Sequence, residues 1–199
     1  MREELPREAP AEFLAALRSL RDAAIRPEIE LAEIRAPGQI APYAVALSGD
    51  VKDILPDGVV AGPGRPTHLH ACDGRFVLMY DPDGQSSWQG NFRVVVLVRA
   101  TMDPELAGDP MLPTVMWDWL DEALSSAGAT ESARGGTVTR ALSHSFGVLE
   151  DADEQVEVEL RASWTPSDDN MAAHLSAWAD MLGMAAGLEP SAARISVIK

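Results

Sequence analysis

The chain has 199 residues, 46% of them hydrophobic, and its 31 acidic against 16 basic side chains give a net charge of -15. That length suits one domain of roughly 150 residues or a little more plus tails. With only two lysines, Lys52 and Lys199, and no arginine cluster, the charge argues against a nucleic-acid binder.

No apolar run approaches the roughly 18 residues of a membrane span. The acidic start Met1-Arg2-Glu3-Glu4 is unlike a signal peptide, and the single cysteine, Cys72, rules out an internal disulfide framework. A cytoplasmic protein is expected. Residues 1–10, charged and proline-bearing, read as a frayed tail. Glu12 to Ala24 predicts a short helix with Phe13, Leu14, Leu17 and Leu20 on one face, broken by Pro27. Ile29, Leu31 and Ile34 suggest a strand ended by Pro37-Gly38. Pro42 to Leu47, rich in alanine with a proline near its start, predicts a short helix. Residues 51–73 hold six prolines and glycines between Pro56 and Pro66. So long an irregular stretch reads as mobile or functional.

Arg75 to Tyr80 and Phe92 to Ala100 are continuous apolar runs, expected as central strands buried on both faces. Asp81-Pro82-Asp83-Gly84 between them is a turn signal. Arg93 and Arg99 share one side of the second run. Next comes an amphipathic helix, with Leu112, Val115, Met116, Trp119, Leu120, Ala123 and Leu124 on its apolar side. Asp109 or Thr114 could cap it, and Gly128 stops it. Thr137 to Phe146 then forms a hairpin with the run in which Val156, Val158, Leu160, Ala162 and Trp164 alternate with polar residues. Gly147 to Glu154 connects them. Asp168, Asp169 or Asn170 caps a last helix bearing Met171, Leu175, Trp178, Met181 and Leu182, closed by Gly187 and Pro190. Residues 191–199 form a second tail, so one domain spans 11–190.

This order predicts an α+β domain, a largely antiparallel five-stranded sheet with helices packed on one face. It is similar to the element order of the type III secretion chaperone-like class, whose units often dimerise and bind proteins. The charge is uneven: residues 101–199 carry 5 basic and 17 acidic side chains. That makes the C-terminal half the better docking surface for a basic partner.

Several stretches together resemble an uncharacterised actinobacterial family, domain of unknown function 3000. They are Arg26-Pro27-Glu28-Ile29, Gly74 to Leu78, Trp88 to Arg99, Asp109 to Pro113, Trp117 to Leu120, Gly135 to Arg140, Ser145-Phe146-Gly147, Arg161 to Pro166, and His174-Leu175 with Trp178 and Ala185 to Leu188. They run from about residue 10 to 190. The resemblance implies no activity and assigns no site residue. It does not extend to residues 51–72.

Candidate chemistry is sparse. His68, His70 and Cys72 are two apart, so on an extended chain they point one way and could converge on zinc. A fourth ligand is lacking nearby, and the plain alternative is a polar lead-in to the strand. Asp81 to Gly84 begins like a calcium loop, but position twelve is Phe92 instead of an acid. Glu150, Asp151, Asp153 and Glu154 read as a solvated hairpin tip. Gly62-Pro63-Gly64 lacks the phosphate-loop ending. In Ser143-His144-Ser145 the histidine points away from both serines on a strand. Val138, Arg140, Leu142, His144 and Phe146 share one face. If it meets the core, Arg140 and His144 need buried partners; if it is open, Leu142 and Phe146 form a surface flanked by arginine. Trp117 and Trp119 lie about 200° apart on a helix, so one of them marks a flank or covers a sheet edge.

The expected function is a non-enzymatic protein-binding or regulatory module with an acidic surface, without cofactor, bound to itself or to another protein. The alternative is a small-ligand or metal-binding protein, or an enzyme, with a site beside residues 51–73. The surface residues singled out are Arg140, His144, Phe146, Arg93 and Arg99.

Overall fold

A computed structural model of the chain describes residues 9–38, 40–51, 72–102, 105, 108–144, 146–147 and 155–188. His68, His70, the acidic tip 150–154 and the C-terminal tail lie outside these residues, as do residues 1–8 and most of the irregular stretch.

Six strands form one antiparallel sheet: β1 (Ile29–Ile34), β2 (Tyr43–Val51), β3 (Cys72–Gln85), β4 (Gly90–Met102), β5 (Glu131–Ser143) and β6 (Gln155–Pro166). Their spatial order is β1-β2-β3-β4-β6-β5. Three helices, α1 (Ala11–Arg21), α2 (Leu112–Ala127) and α3 (Met171–Ala185), complete the described elements. The α+β class holds, but the expected five strands are six. The extra one is β2, expected as a helix at Pro42 to Leu47. Its Gly49 is small because Trp178 of the last helix lies against it. The Asp81 to Gly84 signal is also displaced. These residues belong to β3, where the register slips between Tyr80 and Gln85, and Gly84 takes φ +70°. The reversal itself is Ser86 to Gln89, with Gln89 at φ 59°.

All three helices lie on one face. Period-two alternation sends Phe76 and Leu78 of β3, Val94, Val96 and Val98 of β4, and Val158, Leu160 and Trp164 of β6 into the core beneath them, none more than 1% exposed. The second helix runs as expected, with Met116 and Leu120 fully buried and Gly128 ending it at φ 69°. The last helix is apolar nearly all round, because it crosses the middle of the sheet and is sandwiched by the other two helices. Asn170 caps it, accepting from the Ala173 N–H.

Trp178 is the centrepiece of this packing. It is fully buried, its ring 5.8 Å from that of Phe76, and its indole N–H donates to the Leu97 carbonyl at 3.2 Å. It rests on Gly49 of β2, where an added Cβ would come within 2.7 Å of the indole. On the other flank, α1 docks Phe13 among Tyr43 and Tyr80, and the Tyr80 hydroxyl donates to Glu12 at 2.8 Å.

Candidate functional site

The face of the sheet opposite the helices is covered by no helix among the described residues. Strand register lays out its side chains in ranks across the sheet. One rank reads Glu30, Asp50, Asp73, Arg99, Glu159 and Thr139. The next holds Ser48, Arg75, Leu97, Arg161 and Thr137. A third, made of Ile34, Ala46, Val77 and Val95, is apolar. On this face Ala46 is only 1% exposed and the adjacent Met79 only 4%. The face is therefore a closely packed apolar strip bordered by charges, acids prevailing toward one end.

Arg93 and Arg99 both belong to this face, as their spacing predicts, but they do different things. Arg93 is a staple. Its guanidinium donates to the Ala133 carbonyl at 2.9 Å, to Thr165 Oγ1 at 3.1 Å and to Ser163 Oγ at 2.7 Å, tying β4 through β6 to the bulge in β5. Ala133 sits in that bulge at φ 50°. Truncating Arg93→Met keeps the stem and removes every donor. The three bonds share one guanidinium and are lost as a unit, and removing one charged hydrogen-bonding partner costs roughly 1.5–3 kcal/mol, so urea denaturation should show a loss of about 2 kcal/mol overall.

Arg99 is a charge partner. It donates to Asp73 at 2.7 Å. That hydrogen bond and the Asp73 charge, helped by Glu157 and Glu159, hold the guanidinium even more firmly protonated than usual. Beside it opens a cleft of about 220 Å³, lined among others by Asp50, Cys72, Asp73, Arg99, Thr101 and Glu157. Three carboxylates around one guanidinium suit a cationic group, not an anion. Cys72 contributes no nucleophile. It is 6% exposed, and burial, then Asp73 and Asp50, push its thiol far up, so it stays protonated. Among the described residues no three of His, Cys, Asp and Glu gather as a metal site.

Arg140, His144 and Phe146 lie at the other margin. Register puts Arg140 opposite Val158 and Leu142 opposite Val156, on the helix side of the sheet. That side nonetheless lies open here, since α2 reaches only the beginning of β5. Trp117 of α2 settles over Gly136, with the Arg134 guanidinium 5.3 Å from its ring centre. It is thus the tryptophan that covers the sheet edge. Beyond it Leu142 is 56% and Phe146 81% exposed. Arg140 is exposed and donates to the Asp109 carbonyl at 3.0 Å. His144 is also exposed, just past the strand. Neither of the two alternatives for this face holds whole: it points to the helix side, yet it is open.

Sequence alone missed Asp50, Asp73, Thr101 and Glu157 as neighbours of Arg99. Alternation marks Glu157 and Glu159 as the wet side of β6, but only strand register brings them to Arg99.

Residues 9–195 match the family described as Protein of unknown function (DUF3000), and the chain belongs to that family. No curated protein and no solved structure matches it significantly. No described helix is long and apolar enough to cross a membrane.

Proposed function

We propose, starting from that family membership, that the chain is a non-enzymatic, cytoplasmic protein-binding module that engages basic partners. The observation that carries this reading is the helix-free face of the sheet, where a half-buried apolar strip lies beside a rank holding Arg75 and Arg161, with the carboxylates Glu30, Asp50, Asp73 and Glu159 one rank farther on. An interface needs a dehydratable centre and a polar rim, and this face supplies both. The net charge of -15 adds long-range attraction for a basic partner. Among the described residues, Arg93 is engaged in holding a bulge and Cys72 is buried with its thiol pushed up by burial. The order of elements, with one strand more than the type III secretion chaperone-like class, adds support only by architecture.

The test is affinity capture with the full chain at low and raised salt, using wild type and Val77→Asp, with the retained proteins identified. Basic proteins should be retained by wild type, released as salt rises, and lost from the variant. Retention that ignores salt and is unchanged by Val77→Asp would overturn the reading. A second reading is favoured by the cleft beside Arg99: a small cationic ligand held by Asp50, Asp73 and Glu157. Calorimetric titration with arginine or spermidine separates it: stoichiometric binding that survives Val77→Asp favours the cleft, and no binding leaves the protein-binding reading alone.

A further inference from the structure

The two edges of the sheet are unlike. β1, at one end, has only six residues and carries Glu30 and Glu33. Short, charged strands are how proteins keep an edge from pairing. β5, at the other end, has 13 residues and pairs with β6 alone among the described strands. Its bulge lies at the beginning, between Ser132 and Gly135. From Gly135 to Ser143 the strand is regular, with no proline, Arg140 as its one charged residue, and only Val138 even part-buried. At about 3.4 Å per residue that is roughly 30 Å of backbone whose outer hydrogen-bonding groups face no described strand.

We propose that this edge takes an extended segment of a basic partner protein as a seventh strand, antiparallel or parallel to β5. The inference rests on the binding-module reading and gives it a mode and a sequence preference.

The side chains around the edge set that preference. Toward the open face β5 presents only small groups: Gly135, Thr137, Thr139, Ala141 and Ser143. Directly behind Thr139 stands Glu159, already paired with Arg161 at 2.6 Å, and behind Ala141 stands Glu157, which offers the stronger attraction. A side chain on an added strand at those two ranks lies two strand spacings, about 9.6 Å, from the β6 carboxylates. The small residues between leave the way open. Only lysine or arginine is long enough to lean across, and only a cation is attracted. Toward the helix side the added strand meets Val138, Arg140 and the half-exposed Leu142; Arg140 is drawn aside to the Asp109 carbonyl, and Val138 and Leu142 favour apolar neighbours. The preferred segment therefore alternates basic and apolar residues in step with β5. A second copy of this chain fits poorly. It brings another net charge of -15, and its own β5 offers no base at the positions that face Glu157 and Glu159.

The experiment titrates the isotope-labelled full chain with a capped nine-residue peptide alternating arginine and valine. Three controls accompany it: the peptide with glutamate for arginine, one of equal composition with its arginines consecutive, and one N-methylated on alternate backbone nitrogens. The alternating peptide should shift the amides of residues 135–143 and bind at least about tenfold more tightly than each control, given the charge and backbone bonds they lose. Glu157→Lys should weaken it about threefold, the scale of an exposed ion pair. Equal binding of the consecutive or N-methylated peptide, shifts centred on Val77 and Val95, or self-association through β5 in place of peptide binding would each overturn the proposal. If peptides fail while salt-sensitive capture of basic proteins persists, the edge mode falls and the binding module stands. If both fail, both fall.

Discussion

Replacing Trp178 with alanine should lower the unfolding free energy by about 4 kcal/mol, within the range for a large aromatic removed from a core. Domains of this size have roughly 5–15 kcal/mol in total, so the variant should be only marginally folded at room temperature. The magnitude follows from the position. The indole is fully buried, lies against Phe76, and spans β2, β3 and β4. Its removal leaves a cavity that Gly49 and Gly74 cannot fill, and it removes the indole N–H bond to the Leu97 carbonyl. Urea denaturation of both proteins measures the difference. A loss below about 1.5 kcal/mol would mean the site collapses around the deletion, contrary to the packing described.

A second substitution makes the argument sharper. At Gly49 an added methyl would meet mainly the tip of the Trp178 ring, with Leu182 and Leu31 next at 3.0 and 3.2 Å. At Gly74 it would instead meet the Leu97 carbonyl on the neighbouring backbone. Gly49→Ala should therefore be costly beside Trp178 and cheaper in the Trp178→Ala background. Gly74→Ala should be costly in both. A coupling energy of about 1 kcal/mol or more for the first pair and near zero for the second is the expected result of the double-mutant cycles.

The same contacts explain which elements could be read from the sequence. The alternation of Val156 to Trp164 and the helical spacing of Leu112 to Leu124 are visible because each element buries one face under ordinary large side chains. β2 is the opposite case. Gly49 is glycine because Trp178 presses on it, and Ala46 is only 1% exposed in the apolar strip of the open face. A strand that must be small to admit a neighbour's bulk looks, as sequence, like a helix followed by a loop. Gly135-Gly136 disguises the start of β5 in the same manner, since Trp117 lies over Gly136. In both places the cause of the local composition is a tryptophan distant in sequence.

The candidate surfaces were legible in part. Period two places Arg93 and Arg99 on one side, but says nothing of their partners. Only the pairing of β4 with β3 and β6 separates a staple among Ser163, Thr165 and Ala133 from a charge partner of Asp73. Arg140, Leu142 and Phe146 were recognisable as a possible surface from their alternation. Their openness depends on where α2 ends its contact with β5, a tertiary quantity that alternation does not encode.

Acid should weaken the fold through one histidine before it touches the surface carboxylates. His174 is fully buried on α3, and its Nδ1 accepts the Trp164 indole N–H at 3.0 Å. The proton of the neutral ring must then sit on Nε2, which is buried and has no partner among the described residues. Burial lowers the imidazole from 6.5 to about 4, opposed only by the Asp168 charge. The unfolded chain therefore binds a proton that the folded chain refuses between these two values. Stability is complete above about pH 6.5 and falls as pH drops through that window, by about 3 kcal/mol in all. Asp180, whose carboxyl is raised by burial, acts in the opposite sense just above its usual value. Asp168, lowered chiefly by the Thr130 hydroxyl, loses its contribution only at still lower pH. His174→Gln keeps an acceptor for Trp164 and cannot titrate. Between pH 7 and pH 5 the wild type should lose about 2 kcal/mol more than this variant in urea denaturation. Parallel pH profiles for the two proteins would show that the buried imidazole is not the source of the acid sensitivity.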